Sequence, residues 1–224
     1  MPRFLLLLLL IGSLLQAQRA PSVRANGEGV VAAMPDLVRI NLTISTPAGT
    51  AQEAADQNAA TSLAVTNRVK ALIATNGEIR TVSYSVNPNY RSNPTGGQTL
   101  TGFTANNTLE ATAYDLNLAG KIVDAAVQAG ATSVGGLRFG LKDSDPQRRD
   151  ALKRATQVAR ANANAIAEGL SVRLGSILAA DEGSSVSIFN PTDARAGAAA
   201  TATTFDTGLV EVRATVTLEI AILQ

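Results

Sequence analysis

Three acids stand close together in "DSDPQRRD", namely Asp143, Asp145 and Asp150. Two carboxylates one residue apart can share a hard cation such as calcium. Acids also complement the dipole and cap the backbone at a helix start. Pro146 fits the second role, because a proline at the first helical position loses no needed N–H. No glycine turn and no twelfth-position glutamate completes a calcium loop. The reading is a helix start with Asp145 as N-cap, and no metal ligand is assigned.

Two glycine pairs raise the idea of a phosphate cradle: Gly27 and Gly29 around Glu28, and Gly135-Gly136. A dinucleotide site needs its glycines between a strand and the helix that follows. Here both groups lie in strand-like sequence, so a bulge or a close backbone approach is expected. Tyr84 and Tyr90 bracket "SVNPN" and would line a shallow groove, the basis of a small-ligand reading. The structural expectation puts Tyr84 in the core and Tyr90 over a sheet edge.

Composition removes much chemistry. With no histidine there is no Ser-His-Asp or Cys-His relay and no imidazole ligand. With no cysteine there is no thiolate nucleophile, zinc knuckle, lipid attachment or disulfide. A carboxylate pair for hydrolysis stays open among the 18 acids, but nothing singles one out. No tryptophan and 4% aromatics leave little to build a sugar platform. No catalytic, cofactor-binding or metal residue is therefore assigned, and no cofactor is expected.

The N-terminus "MPRFLLLLLLIGSLLQAQ" sets Arg3 before an apolar run and Ala17 after it. That order is a secretory signal peptide, too short for a span of about twenty residues. The expected organisation is a signal peptide over 1–17 and a single domain over 18–224, with a mobile loop near 184–204. Loss of Arg3 leaves 18 basic against 18 acidic residues, so no charge draws the chain to nucleic acid or anionic lipid. No later segment is long enough to span a membrane.

The elements follow from periodicity. Residues 23 to 46 read as two strands about Pro35-Asp36, the second carrying Val38, Ile40, Leu42 and Ile44 on one face. Thr50 and Glu53 stand at capping-box spacing. They open a helix of about 26 residues with Ala51, Ala54, Ala55, Asn58, Ser62, Val65, Val69, Leu72 and Ile73 on one side, which stops at Asn76-Gly77. A strand with Val82, Tyr84 and Val86 in phase, the loop "RSNPTGGQ" and a returning strand come next. Asp115 caps a second helix that ends at Gly130, and Leu137, Phe139 and Leu141 mark another strand. The order is the split β-α-β-β-α-β unit of ferredoxin-like folds. A long helix follows, with Leu152, Ala155, Ala159, Ala163, Ile166 and Leu170 as its stripe. "GSILAADEG" and an alternating strand from Val210 to Ile220 close the chain. The fold class is α+β: a ferredoxin-like unit extended by a long helix and C-terminal antiparallel strands.

"GEGVVAAMPDLVRINLTIST", "EIRTVSYSVNPNY", "LTGFTANNTLEATAYD" and "GLVEVRATVTLEI" together resemble the SIMPL domain family. The matching positions are Gly27, Gly29, Pro35, Asp36, Tyr90, Gly102, Gly130, Ala151, Ala155, Ala159 and Gly208, and none is catalytic in that family. The resemblance implies an exported α/β protein, assembly into rings or larger bodies in some members, and a link to envelope or oxidative stress. The expectation is a non-enzymatic, periplasmic or secreted homo-oligomer with an unidentified envelope partner. A small-ligand-binding module and a carboxylate-based hydrolase are the alternatives. Intact mass spectrometry of the protein from its native envelope fraction is expected to lack residues 1 to about 17; a full-length mass there would count against export by cleavage.

Overall fold

The alternation of Val38, Ile40, Leu42 and Ile44 forms the centre of a core, each at most 1% exposed. The computed structural model describes residues 21–94, 96–183, 187–189, 205 and 207–223, so the expected signal peptide and most of 184–204 lie outside the described residues. The chain divides into two compact units. One comprises Val30–Arg149 with Val186–Arg213; the other comprises residues up to Gly29, Asp150–Ser185 and Ala214 onward.

The larger unit contains β2 (Leu37–Ala48), α1 (Ala51–Ile73), β3 (Gly77–Ser92), β4 (Gln98–Ala113), α2 (Leu118–Gln128) and β5 (Ser133–Gly140). Its sheet runs β3-β4-β2-β5, with every pairing antiparallel. That is the strand order of the split β-α-β-β-α-β unit expected from the element order. Val65, Val69 and Ile73 of α1 and Ile122 of α2 pack on the inner face of β2. Asp36 ties the turn before β2 to the end of β5: its N–H donates to the Gly140 carbonyl at 3.0 Å, and its Oδ1 accepts from the Lys142 N–H at 2.6 Å.

Thr50 and Glu53 form the expected capping box, each side chain accepting from the other's backbone N–H at 3.2 Å. The helix is 23 residues long. Its stop differs from expectation: the positive φ of 46° falls on Ala74, not on Asn76-Gly77. Gly77 instead opens β3, where a Cβ would overlap the Thr112 carbonyl. Asn58 and Ser62 complete the buried stripe as expected. The Asn58 amide donates to the Ile44 and Ala105 carbonyls at 3.0 and 3.1 Å, so α1 is hydrogen-bonded to both central strands. Ser62 then donates to Asn58 Oδ1, and Asn107 Nδ2 donates to Ser62.

Asp115 does not cap α2. Its Oδ1 accepts from the Asn117 N–H at 3.0 Å in a local turn, and Asn117 occupies the cap position. Gly130, at φ 108°, ends the helix as expected. In β3 a register shift between Thr81 and Ser83 puts Val82 in a bulge, out of phase with Tyr84 and Val86.

The smaller unit holds the start of β1 (Ser22–Ala33), most of α3 (Asp145–Gly169), β6 (Arg173–Glu182) and the end of β8 (Val210–Leu223). β8 lies between β1 and β6, and its alternating residues from Val210 to Ile220 are all buried. The strand best suited to pairing by its sequence is thus central. Within the expected loop, β7 (Ser187–Phe189) pairs with Glu211–Arg213 of β8, in the larger unit.

The buried line of α3 is Ala151, Ala155, Ala159, Ala163 and Ala167. Ile166 and Leu170, expected in that stripe, are 41% and 60% exposed. The reason is on the facing strand. A Cβ on Gly27 would overlap the Ala155 carbonyl and the Ala159 amide, and one on Gly29 would overlap the Ala151 carbonyl. Helix and strand backbones touch directly, which leaves room for methyl groups only. Ala159→Leu is expected to cost roughly 1–3 kcal/mol by overpacking, and Gly27→Ala the upper end of that range or more. Urea unfolding checks this; a wild-type midpoint for both variants would mean that the face is open.

Candidate interaction surface

The acidic group at the start of α3 is divided among structural tasks. Asp143 Oδ1 accepts from the Asp145 N–H at 2.9 Å, and the Ser144 carbonyl accepts from the Arg148 N–H at 2.9 Å. The first helical bond therefore starts at Ser144, and Asp143, just before it, makes a local side-chain turn onto the Asp145 N–H of the first helical turn. Asp145 lies inside the first turn, one residue further along than the sequence suggested. Asp150 pairs with Lys153 at 3.1 Å on the helix surface. Among the described residues no three His, Cys, Asp or Glu side chains come together as a metal site.

The glycine pairs also have backbone roles. Gly27 and Gly29 face α3. Gly136, at φ 58°, forms a bulge with Leu137 opposite Ile40, where the β2–β5 register shifts between Arg39 and Asn41. An open depression of about 500 Å³ in the smaller unit is lined by Asn26, Glu28, Val158, Asn162, Thr215 and Thr217. Several of its polar groups already serve each other. Asn162 Nδ2 donates to the Asn26 carbonyl at 2.8 Å, and Thr217 donates to Asn26 Oδ1 at 2.9 Å.

β3 is the edge of its sheet, and it is exposed along most of its sixteen residues. Tyr84 is 52% exposed, which corrects the expectation of a core residue, and Tyr90 is 57% exposed. Six residues of extended chain separate them, about 20 Å, so they do not line one groove. Leu100, paired with Tyr90 across the hairpin, is also exposed. β2 accompanies β4 only as far as Ala48 opposite Phe103. Beyond it the rungs from Asn89–Gly102 to Ser92–Gln98 belong to β3 and β4 alone.

The face of this sheet turned away from α1 and α2 was not singled out in the sequence. Register places Ser133, Thr43, Thr108 and Ser83 in one row across all four strands, with Thr43 and Thr108 Oγ1 3.3 Å apart. A neighbouring row holds Ser45, Asn106 and Ser85. In these two rows the outward residues are small and polar, a pattern meaningful only once register aligns the strands. At one end Arg80 binds Glu110 at 2.8 Å. That hydrogen bond, and then the Glu110 charge, raises the Arg80 pKa above its ordinary value, for a group already protonated at all working pH.

Residues 23–220 match the SIMPL family model, described as a protein of unknown function (DUF541). Two curated relatives are each 27% identical over 164 residues, the 26 kDa periplasmic immunogenic proteins of Brucella melitensis biotype 1 and Brucella abortus strain S19. The match covers 71% of this chain and 66% of each relative's length, just under two thirds.

The placement of the helix cap is open to direct test. Asp143→Ala is expected to lower stability by about 1 kcal/mol, and Asp145→Ala by less, since only the first removes a side-chain bond to the backbone of the first helical turn. Calcium is expected to leave the wild-type melting temperature unchanged. A saturable rise with calcium that vanishes in Asp143→Ala would make this a metal site.

Proposed function

We propose that this chain, which belongs to the SIMPL family, is an exported periplasmic protein without catalytic activity that works by self-assembly. Export is supported by the leader-like order of Arg3, the leucine run and Ala17, and by the periplasmic names of the two Brucella relatives. The resemblance supplies envelope stress as the physiological setting. The absence of histidine and cysteine supports the non-enzymatic reading, because it removes the commonest nucleophile and base pairs.

The observation that carries assembly is the β3 edge. A sixteen-residue edge strand presents backbone donors and acceptors, interrupted at Pro88 and at two register shifts, and the uninterrupted run from Ser83 to Asn87 is open to pairing with another chain. Tyr84, Tyr90 and Leu100 add apolar contact beside that row. A second copy approaching about a two-fold axis offers the same strand in antiparallel sense, so the contact is self-complementary. Sedimentation velocity across the micromolar range is expected to show species above monomer mass, reduced in Tyr84→Lys. A single monomer-mass species at every concentration would remove assembly and bring the small-ligand reading forward.

A further inference from the structure

On the helix-free face of the four-stranded sheet, Arg39 of β2 stands directly opposite Arg138 of β5, and both are exposed. Like charges placed directly across a strand pair destabilise it. Arg80 on the same face has Glu110, and Lys142 at the end of β5 lies over the Tyr114 ring at 4.4 Å. Among the described residues neither Arg39 nor Arg138 has a carboxylate within salt-bridge distance. The nearby acids are placed elsewhere. Glu110, diagonal to Arg39, is engaged by Arg80, and Glu78 is two strands from Arg39, beyond Thr112.

A second feature adjoins the pair. The β2–β5 bulge at Gly136 and Leu137 ends one residue before Arg138. Bulges re-aim the side chains beside them and recur next to functional positions. Gly136 is held to glycine by its φ of 58° and by the Asn41 amide, whose Nδ2 would stand 2.7 Å from an added Cβ. Asn41 is half-buried, two residues along β2 from Arg39 and on the same face, with its amide over Gly136, two residues before Arg138.

We propose that Arg39, Arg138 and Asn41 form a binding site for an oxyanion, the phosphate or carboxylate group of an otherwise polar ligand. Two planar forks on neighbouring strands approach one tetrahedral or trigonal anion from two sides, and each can donate in bidentate fashion. The anion cancels the repulsion that the empty pair carries, and the Asn41 amide supplies a further N–H donor. Beyond Asn41 the row of Ser133, Thr43, Thr108 and Ser83 offers hydroxyls and no charge, which suits an uncharged polyol portion. The site is independent of the β3 edge, so it stands whether or not the protein assembles.

The experiment compares thermal unfolding of the mature protein in inorganic phosphate, in acetate and in chloride at one ionic strength. At ten times the Kd, phosphate or acetate is expected to raise the midpoint by about 3 °C. Arg39→Gln and Arg138→Gln are expected to abolish the rise, and Arg91→Gln, on β3 away from the pair, to keep it. Flotation with vesicles of phosphatidylglycerol in phosphatidylcholine distinguishes the source. Binding that needs both arginines, without a rise in free phosphate, identifies a lipid headgroup. No rise in either anion together with no flotation overturns the proposal, as does a rise or flotation that survives loss of both arginines.

Discussion

The smaller unit depends on a contact in which almost nothing lies between two backbones. Gly27 and Gly29 of β1 meet the Ala151, Ala155 and Ala159 turns of α3 so closely that one extra carbon would collide with main-chain atoms. The chain has no cysteine and so no cross-link, and burial must supply the stability. Close approach multiplies dispersion contacts that are individually about 0.1–0.2 kcal/mol. The cost is two glycines within a strand, each weakening it through chain entropy and absent packing. Val23, Ala25, Val216, Leu218 and Ile220 widen the same contact into a core.

The larger unit solves the same problem with bulk. Branched residues of β2 fill the space under α1, and a single polar thread runs through them. Asn58 spends its amide on carbonyls of β2 and β4, which fixes the rotation of α1 over the sheet. An apolar residue at that position would pack but would leave the helix freer to slide. At the end of the thread Asn107 Oδ1 is buried and has no hydrogen-bond partner among the described residues, which costs something.

Several elements governed by local chemistry were legible in the sequence, although the Asn76-Gly77 stop and the Asp115 cap were not borne out. The Thr50–Glu53 box, the Gly130 stop and the alternation of β8 each need only neighbouring residues, and each appears where expected. Features set by a partner element were not. Ile166 and Leu170 fit a helical stripe, but β1 admits only alanines there, so the buried line keeps to every fourth residue and passes through Ala167 instead of Ile166; such a path drifts about 40° per step around a helix. Val82 fits a strand period that a bulge breaks, and Tyr84 looks like core until its strand is known to be the edge. Asp145 carries the signature of a cap, and Asp143, two residues earlier, makes the bond. The Arg39–Arg138 pair shows the limit most clearly: ninety-odd residues separate the two, and register alone sets them opposite.

The unequal lengths of the strands give the β3–β4 hairpin a gradient of persistence along its axis. Rungs inside Phe103 are held within a sheet, while those outside it form a ribbon of two strands, a form that is marginal in water by itself. The extra residue Thr101 and Gly102, at φ 141°, stand at that transition and loosen it further. Opening therefore begins at the Gly96–Gly97 turn and runs inward until the third strand arrests it. Amide hydrogens on the two sides of the Ala48–Phe103 rung belong to different regimes of exchange, brief protection outside and protection approaching that of the whole sheet inside. The hairpin behaves as a zip with a built-in stop.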